Sequence, residues 1–375
     1  MKWEKLKLEE IGLITSGGTP STGNPGYWNG EIPWITPKDL SNFEYRYIEN
    51  GERNITDDGF KNSSAKLVKE KSVLLSSRAP IGYLAIAQND LTTNQGFKNI
   101  TPNKKCDYIY LFYCLKNNVE YLKSLGIGAT YPELSSSRLK EIQIPVPPLP
   151  TQRRIASILS AYDDLIENNL KRIKLLEEKA ELRYKLMQKE LTYEKRINLY
   201  DFADIQMGFA FKAEAFNEDS EGIPIIRIRD IPRQMTKSYT IEELENQYWV
   251  EKGDLLIGMD GEFHMNEWLG QRGYIVQRVC RLRAKNELFQ SFLWQALKEP
   301  IHYYESTISG ATVAHLGKKH LEEILIAQPK DSMKNELEEM NTMRKIKIVL
   351  ADQNTKLREA RDILLPRLMS GEINF

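Results

Sequence analysis

Cysteine is scarce: Cys106, Cys114 and Cys280 are the three in 375 residues, and no C-x-x-C pair occurs among them. That excludes a disulfide framework and a cysteine-based zinc site, and the three read as small core residues. The four histidines, His264, His302, His315 and His320, form no i, i+4 pair with a carboxylate companion, so the pattern of a zinc hydrolase is missing too. No apolar run approaches the roughly 20 residues that cross a bilayer. Met1-Lys2-Trp3-Glu4-Lys5 has no apolar segment behind its charges to suit a signal peptide, so a cytoplasmic chain without membrane contact is expected. Net charge is absent as well, with 52 Lys and Arg against 52 Asp and Glu. A nucleic-acid partner usually calls for a basic excess, so that balance counts against one unless the charge is unevenly distributed. Between Phe60 and Lys140 it is uneven, with twelve Lys/Arg against five acids. Such a segment suits phosphates, or is an ordinary solvated surface.

What the chain has is a repeat. Leu8 to Gly17, then Ile32-Pro33-Trp34-Ile35 and Lys38-Asp39-Leu40, recur in register as Leu199 to Gly208, Ile223-Pro224-Ile225-Ile226 and Arg229-Asp230-Ile231. Further on, Val73-Leu74-Leu75 answers Asp254-Leu255-Leu256, and Gly128-Ala129-Thr130 answers Gly310-Ala311-Thr312. Leu139 to Ile144 answers Leu321 to Ile326. The second copy is shorter around Asp57 to Ala65. A repeat of this length indicates a duplicated domain plus connector, and 375 residues suffice for two cores.

Each copy opens with short β-branched runs between Gly, Pro and Asn turns and closes with a helix. The cluster Pro145-Val146-Pro147-Pro148-Leu149-Pro150 reads as an extended exit, with Thr151 as the helix N-cap. From Thr151 to Leu191, Ile155, Leu159, Tyr162, Ile166, Asn169, Ile173, Leu176, Ala180, Arg183 and Met187 alternate at spacings of three and four, a coiled-coil seam. Met343, Ile346, Leu350, Gln353, Leu357, Ala360, Leu364 and Leu368 make a second one. Asn169 either fixes register or marks a splayed, wet point of the seam. The expected fold is α+β: two mixed α/β domains separated by two long antiparallel coiled-coil helices, with a pseudo-twofold internal repeat. The boundaries expected are 1–148, 149–191, 192–332 and 333–375. A forty-residue helix would hold its domains roughly 50 to 60 Å apart, although periodicity leaves open that each helix packs only on its own domain.

The stretch Ile144-Pro145-Val146-Pro147-Pro148-Leu149-Pro150-Thr151-Gln152-Arg153-Arg154-Ile155, with Tyr162-Asp163-Asp164-Leu165-Ile166-Glu167-Asn168-Asn169 after it, resembles the central connector of type I restriction-modification specificity subunits. Gln353-Asn354 and Lys356 to Ile373 resemble that family's C-terminal connector. Ser16-Gly17-Gly18-Thr19-Pro20, Ile32 to Leu40 and Thr93-Asn94-Gln95-Gly96-Phe97 resemble its recognition domains. The resemblance implies two target recognition domains, each reading one half of a split sequence in double-stranded DNA, on connectors that set the spacer. It implies partners: methyltransferase subunits, two of them, docked on the connectors, and restriction/translocase subunits. Adenine-N6 methylation, S-adenosylmethionine, ATP and Mg belong to those partners, and the chain itself is a non-catalytic member of a hetero-oligomer binding no cofactor or metal. The second copy departs from the pattern: Asn94-Gln95-Gly96-Phe97 aligns with Gln277-Arg278-Val279-Cys280, and the Pro-Pro exit becomes Pro329-Lys330.

A catalytic reading finds no motif. Asn24-Pro25-Gly26-Tyr27 differs from the Asn-Pro-Pro-Tyr of adenine methyltransferases by a glycine and reads as a turn. Gly310 to Lys318 has six residues where a phosphate-binding loop needs four between its glycines. Glu177-Glu178-Lys179 reads as a solvated helix face. For DNA, base edges call for Arg, Lys, Asn and Gln, and phosphates for cations and turn N–H groups. The candidates are Thr36, Lys38, Arg78, Tyr83, Asn94 and Gln95 in the first copy. In the second they are Arg227, Arg229, Arg233, Asp260, His264, Arg272 and Arg278. Each is otherwise an ordinary surface or turn residue. The competing function is a coiled-coil assembly protein of the same architecture that binds no particular DNA sequence.

Overall fold

A computed structural model describes residues 3–78, 80–128, 132–191, 194–308 and 314–373, and the chain divides into two units, Met1–Glu167 with Thr355–Phe375, and Asn168–Asn354. In the first, the strands are β1 (Gly12–Ser16), β2 (Trp28–Ile35), β3 (Val73–Ser77), β4 (Ile81–Ala87), β5 (Thr92–Thr93) and β6 (Phe97–Pro102). One sheet has the order β1-β6-β3-β4 with Tyr47–Ile48 at its edge, and a smaller one places β2 between Arg53–Ile55 and β5. All five residues of β3 are buried, and it opens with three apolar residues in a row, because both of its faces are covered. Val73 and Leu75 join the cluster built around α1 (Tyr108–Asn117), while Leu74 points into the other, with Ile35 and Phe97. Asp107 caps α1 by accepting from the N–H groups of Ile109 and Tyr110 at 3.0 and 3.1 Å. Lys5–Lys7 pairs antiparallel with Gln143–Pro145. From there the chain enters α2 (Leu149–Glu190), a helix of 42 residues that contributes to both units. It starts before Thr151, which is therefore not its N-cap. Pro150 sits in the first turn, where the missing N–H has no helical partner to lose.

The second unit repeats this plan with β7 (Ala203–Met207), β8 (Ile223–Ile226), β9 (Leu255–Gly258), β10 (Met265–Glu267), β11 (Gly273–Ile275), β12 (Val279–Ala284) and α3 (Gln290–Thr307). Its sheets run β7-β12-β9-β10, and Tyr239–Thr240, β8, β11, Trp249–Val250. Arg196–Asn198 pairs with Leu325–Ala327 as Lys5–Lys7 does in the first. The registers correct the sequence alignment by one residue. Ile14 faces Ile100 and Ile205 faces Leu282; on those partners sit Val73 and Leu255. Val73 thus corresponds to Leu255 and not to Asp254, whose counterpart in the alignment is Ser72, another buried polar residue. A one-residue slip would turn each strand inside out, so the registers decide. The pair Gly128-Ala129-Thr130 and Gly310-Ala311-Thr312 lies outside the described residues, apart from Gly128. Asn24 to Tyr27 is a turn, with Asn24 accepting from the Gly26 N–H at 3.0 Å.

α4 (Lys334–Ser370) is the second long helix, of 37 residues. Within the first unit, Asp163 of α2 binds Arg361 of α4. Within the second, Asn169 binds Asn354, while Lys179 and Arg183 meet Glu339 at 2.8 and 2.5 Å, so there the helices run antiparallel. On α2, Ile155, Leu159, Ile166 and Asn169 are buried, and Tyr162, Ile173 and Leu176 half-buried. On α4 the inward residues are Met340, Met343, Lys347, Leu350, Asn354, Leu357, Arg361, Leu364 and Leu368, still at spacings of three and four. Lys347, Asn354 and Arg361 take the places expected of Ile346, Gln353 and Ala360, since each finds a polar partner: Lys347 on Glu177 of α2 and on buried Glu267 of β10, Asn354 on Asn169, and Arg361 on Asp163. For the same reason Glu177 and Lys179 are not merely solvated: Glu177 pairs with Lys347 at 3.1 Å and Lys179 with Glu339. Among the described residues no helix is long and apolar enough to cross a membrane.

Candidate nucleic-acid interface

In the first domain the parallel pair β2 and β5 ends side by side, and the loops beyond come together. Gly18 donates its N–H to Thr93 O at 2.9 Å, Asn94 to Ile35 O at 2.9 Å, Ser77 to Gly96 O at 2.7 Å, and Leu134 to Ser77 O at 2.8 Å. Gly17 makes this closure feasible, because a Cβ there would lie 2.1 Å from the Asn94 carbonyl oxygen. Four candidates are thereby gathered at one end: Thr36, Arg78, Asn94 and Gln95. Asn94 Oδ1 accepts from the Gly96 N–H at 2.9 Å, an Asx turn, and exposed Gln95 accepts from the Thr19 hydroxyl. Thr36 gives its N–H and hydroxyl to Asp39 at 2.7 and 2.6 Å, which shapes the turn carrying exposed Lys38, itself 2.8 Å from Glu52. Arg78 lies 3.7 Å from Glu133, which Lys98 also approaches at 3.7 Å. Tyr83 departs from this group and lines a recess of about 390 Å³ with Arg46, Lys116, Arg358 and Arg361.

The second domain builds the same loop cluster with the same bonds. Val276 donates to Ile226 O at 3.1 Å, Met259 to Arg278 O at 2.9 Å, and Leu316 to Met259 O at 2.8 Å. A Cβ on Gly208 would lie 2.1 Å from Val276 O, just as at Gly17. Asn94 therefore corresponds to Val276, Gln95 to Gln277 and Gly96 to Arg278, one residue earlier than the sequence alignment. Arg227 donates its N–H to Asp230 at 2.9 Å and lays its guanidinium over Phe216 at 4.5 Å. Burial raises the Asp230 carboxyl above the usual carboxylate range, partly offset by that N–H. Arg229 and Arg233 are exposed. Asp260 and His264 share the β9–β10 hairpin turn. His264 lies 3.3 Å from Glu262, and Asp260 is held by His315 Nδ1 at 2.6 Å and Arg278 Nε at 3.0 Å. Arg272 is not with them. It precedes β11, which runs parallel to β8, so it sits at the opposite end from Arg227, stacked over Trp249 at 3.8 Å and paired with Glu251 at 2.6 Å.

Sequence reasoning missed Glu133, Lys98 and His315. The available signal was positional: Glu133 and His315 stand at equal distances before the matched segments Leu139 to Ile144 and Leu321 to Ile326. Of the surplus cations between Phe60 and Lys140, Lys69, Lys71 and Lys123 pair with Asp90, Glu70 and Glu120, while Lys61, Lys66, Lys104 and Lys105 have no ion pair among the described residues.

Residues 1–178 and 193–337 match the family model of the type I restriction modification DNA specificity domain. The chain belongs to that family. The MjaIX type I restriction enzyme specificity subunit of Methanocaldococcus jannaschii is 32% identical, across 99% of this chain and 93% of the relative. The EcoBI specificity subunit of Escherichia coli is 34% identical over 36% of this chain and 28% of its own length. A solved S subunit from M. genitalium covers 100% of this chain and 96% of its own, with a TM-score of 0.55 at 16% identity, a likeness of fold. The chain is a DNA-recognition subunit of type I restriction-modification. Its relatives do not favour an assembly protein indifferent to DNA sequence. Its fold is that of the specificity subunits: two mixed α/β domains of one topology joined by the long helix α2.

Proposed function

We propose that each α/β domain reads one half of a split DNA target, and that partner subunits docked on α2 and α4 methylate adenine N6 or cut accordingly. The observation that carries this reading is the paired loop cluster. Identical backbone bonds hold it in both repeats, yet its side chains differ: Asn94-Gln95-Gly96 against Val276-Gln277-Arg278, and Arg78 against Asp260. Equal frames with unequal chemistry suit two readers of two different half-sites. The long helices leave large apolar side chains in solvent, Leu175, Leu182 and Leu186 on α2 and Ile346 and Val349 on α4, which supports a docking partner. Two methyltransferase subunits, with S-adenosylmethionine, complete the modifying enzyme. A restriction subunit would bring ATP and Mg, and the assembly works in the cytoplasm, on double-stranded DNA. The reading is tested by single-molecule sequencing of N6-methyladenine in cells carrying the partner methyltransferase, with this gene intact and deleted. A split motif that vanishes on deletion is expected; an unchanged pattern with the methyltransferase expressed refutes it.

A further inference from the structure

At the same place in both domains three backbone positions are locked together, and the side chains they carry are arranged differently. In the first, Arg78 bridges antiparallel to Glu133, and Ser77 is bonded to Gly96; in the second, Asp260 bridges antiparallel to His315, and Met259 to Arg278. The carboxylate therefore changes sides. Glu133 stands between Arg78 and buried Lys98, each at 3.7 Å; Asp260 stands between His315 at 2.6 Å and Arg278 at 3.0 Å. Each cluster holds one arginine that remains substantially exposed, with side-chain accessibility of 39% for Arg78 and 51% for Arg278.

We propose that Glu133 and Asp260 are positioning residues for specificity, each aiming one base-reading arginine, Arg78 in the first domain and Arg278 in the second. The inference rests on the reading that these loops face DNA. A guanidinium reads guanine through a planar fork, and a free arginine must give up rotamer freedom to present it. A carboxylate on one edge restricts that freedom while leaving other donors for the base. Asp260 binds Arg278 through Nε, so both Nη groups stay uncommitted among the described residues, and Glu133 meets Arg78 at Nη1 from beyond hydrogen-bond range. Asp260 itself has both oxygens engaged, which makes it a support for Arg278 more than an acceptor for a base. The reading arginine comes from the turn after β3 in one domain and from the loop before β12 in the other, because glycine occupies the second position in the first domain and aspartate the first position in the second.

The test uses the full chain co-expressed with its partner methyltransferase in cells free of other N6-methyladenine, the methylated motif being read by single-molecule sequencing. Arg78→Gln and Glu133→Gln are expected to broaden the same single position of one half-site, the preference for the parent base falling roughly tenfold or more. Arg278→Gln and Asp260→Asn should do so at one position of the other half-site. If the arginine variants broaden the motif and the carboxamide variants leave it intact, the positioning role is overturned while DNA reading by these loops stands. If neither arginine variant alters the motif, base reading by these arginines fails. Should a carboxamide variant abolish methylation everywhere, Glu133→Asp or Asp260→Glu decides. A motif broadened at the arginine's position then supports the assignment, and the parent motif or none overturns it.

Discussion

Asn169 on α2 donates through Nδ2 to Oδ1 of Asn354 on α4 at 2.9 Å, and both residues are buried in an otherwise largely apolar seam. A polar pair there gives up hydrophobic area but penalises any other register, since a shift would leave buried amides unmatched. Of the two readings open for Asn169, this supports the register-fixing one.

Replacing either partner alone, Asn169→Leu or Asn354→Leu, should cost about 1 to 3 kcal/mol, because a buried amide loses its match. The double variant should cost less than the two singles added together, with helix register no longer enforced. Urea unfolding of the four proteins in a double-mutant cycle measures this, and strict additivity would show that the bond contributes nothing.

A cluster of three buried charges ties the second domain to α4. Glu267 on β10 accepts from Arg344 at 2.5 Å and lies 2.6 Å from Lys347, which also stacks on Trp294 at 4.3 Å. Glu267→Ala leaves two cations with little solvent access, and a loss of about 3 to 5 kcal/mol is expected. Glu178→Ala, which breaks the exposed pair with Lys174 at 3.9 Å, should change stability by no more than about 0.5 kcal/mol. Equal midpoints for the two variants in guanidinium unfolding would contradict the distinction.

These two clusters mark where the sequence stopped being legible. Periodicity found both helices and one seam in full, because Ile155, Leu159 and Ile166 announce an apolar face by spacing alone. On α4 it preferred Ile346 over Lys347, for a buried lysine is intelligible only with Glu177, Glu267 and Trp294 beside it, and all three are far away in sequence. The loop frame was legible wherever a Gly or Pro marked a turn, as at Gly17 and Gly208. Its side-chain partners were not. Glu133 and His315 acquire meaning from a backbone bridge to Arg78 and Asp260 that no local pattern encodes. That Arg272 stands apart from the other candidates was not legible for the related reason that parallel strand order decides which end of a sheet a residue occupies.

Glu181 gives a pH test. Hydrogen bonds from Lys185 first and then Lys298 lower its carboxyl from the usual 4.5 to about 2. A depressed carboxylate stabilises the fold above its unfolded value and ceases to do so as pH falls through the folded one. Glu181→Gln should thus be slightly less stable than the parent at neutral pH, with the gap closing between about pH 4.5 and 2. Solvent screening keeps the gap to about a few tenths of a kcal/mol. Thermal unfolding midpoints compared across that range measure it, and a gap that widens toward acid would reverse the assigned sign.

Lys38 and Arg229 occupy matching positions on turns that Asp39 and Asp230 fix by accepting the N–H groups of Thr36 and Arg227 at 2.7 and 2.9 Å. Both side chains are exposed at the end of the domain where the recognition loops gather, a placement suited to phosphates. Lys38→Ala and Arg229→Ala should therefore weaken binding to motif and non-motif duplexes by similar factors, and each should reduce the slope of log affinity against log salt by about 1. The methylated motif should stay the same, in contrast to Arg78→Gln. Electrophoretic binding at several salt concentrations with both duplexes separates the two behaviours. A loss confined to the motif duplex, with an unchanged salt slope, would instead make Lys38 or Arg229 a reader of bases, because phosphate charge is common to every sequence and cannot discriminate between them.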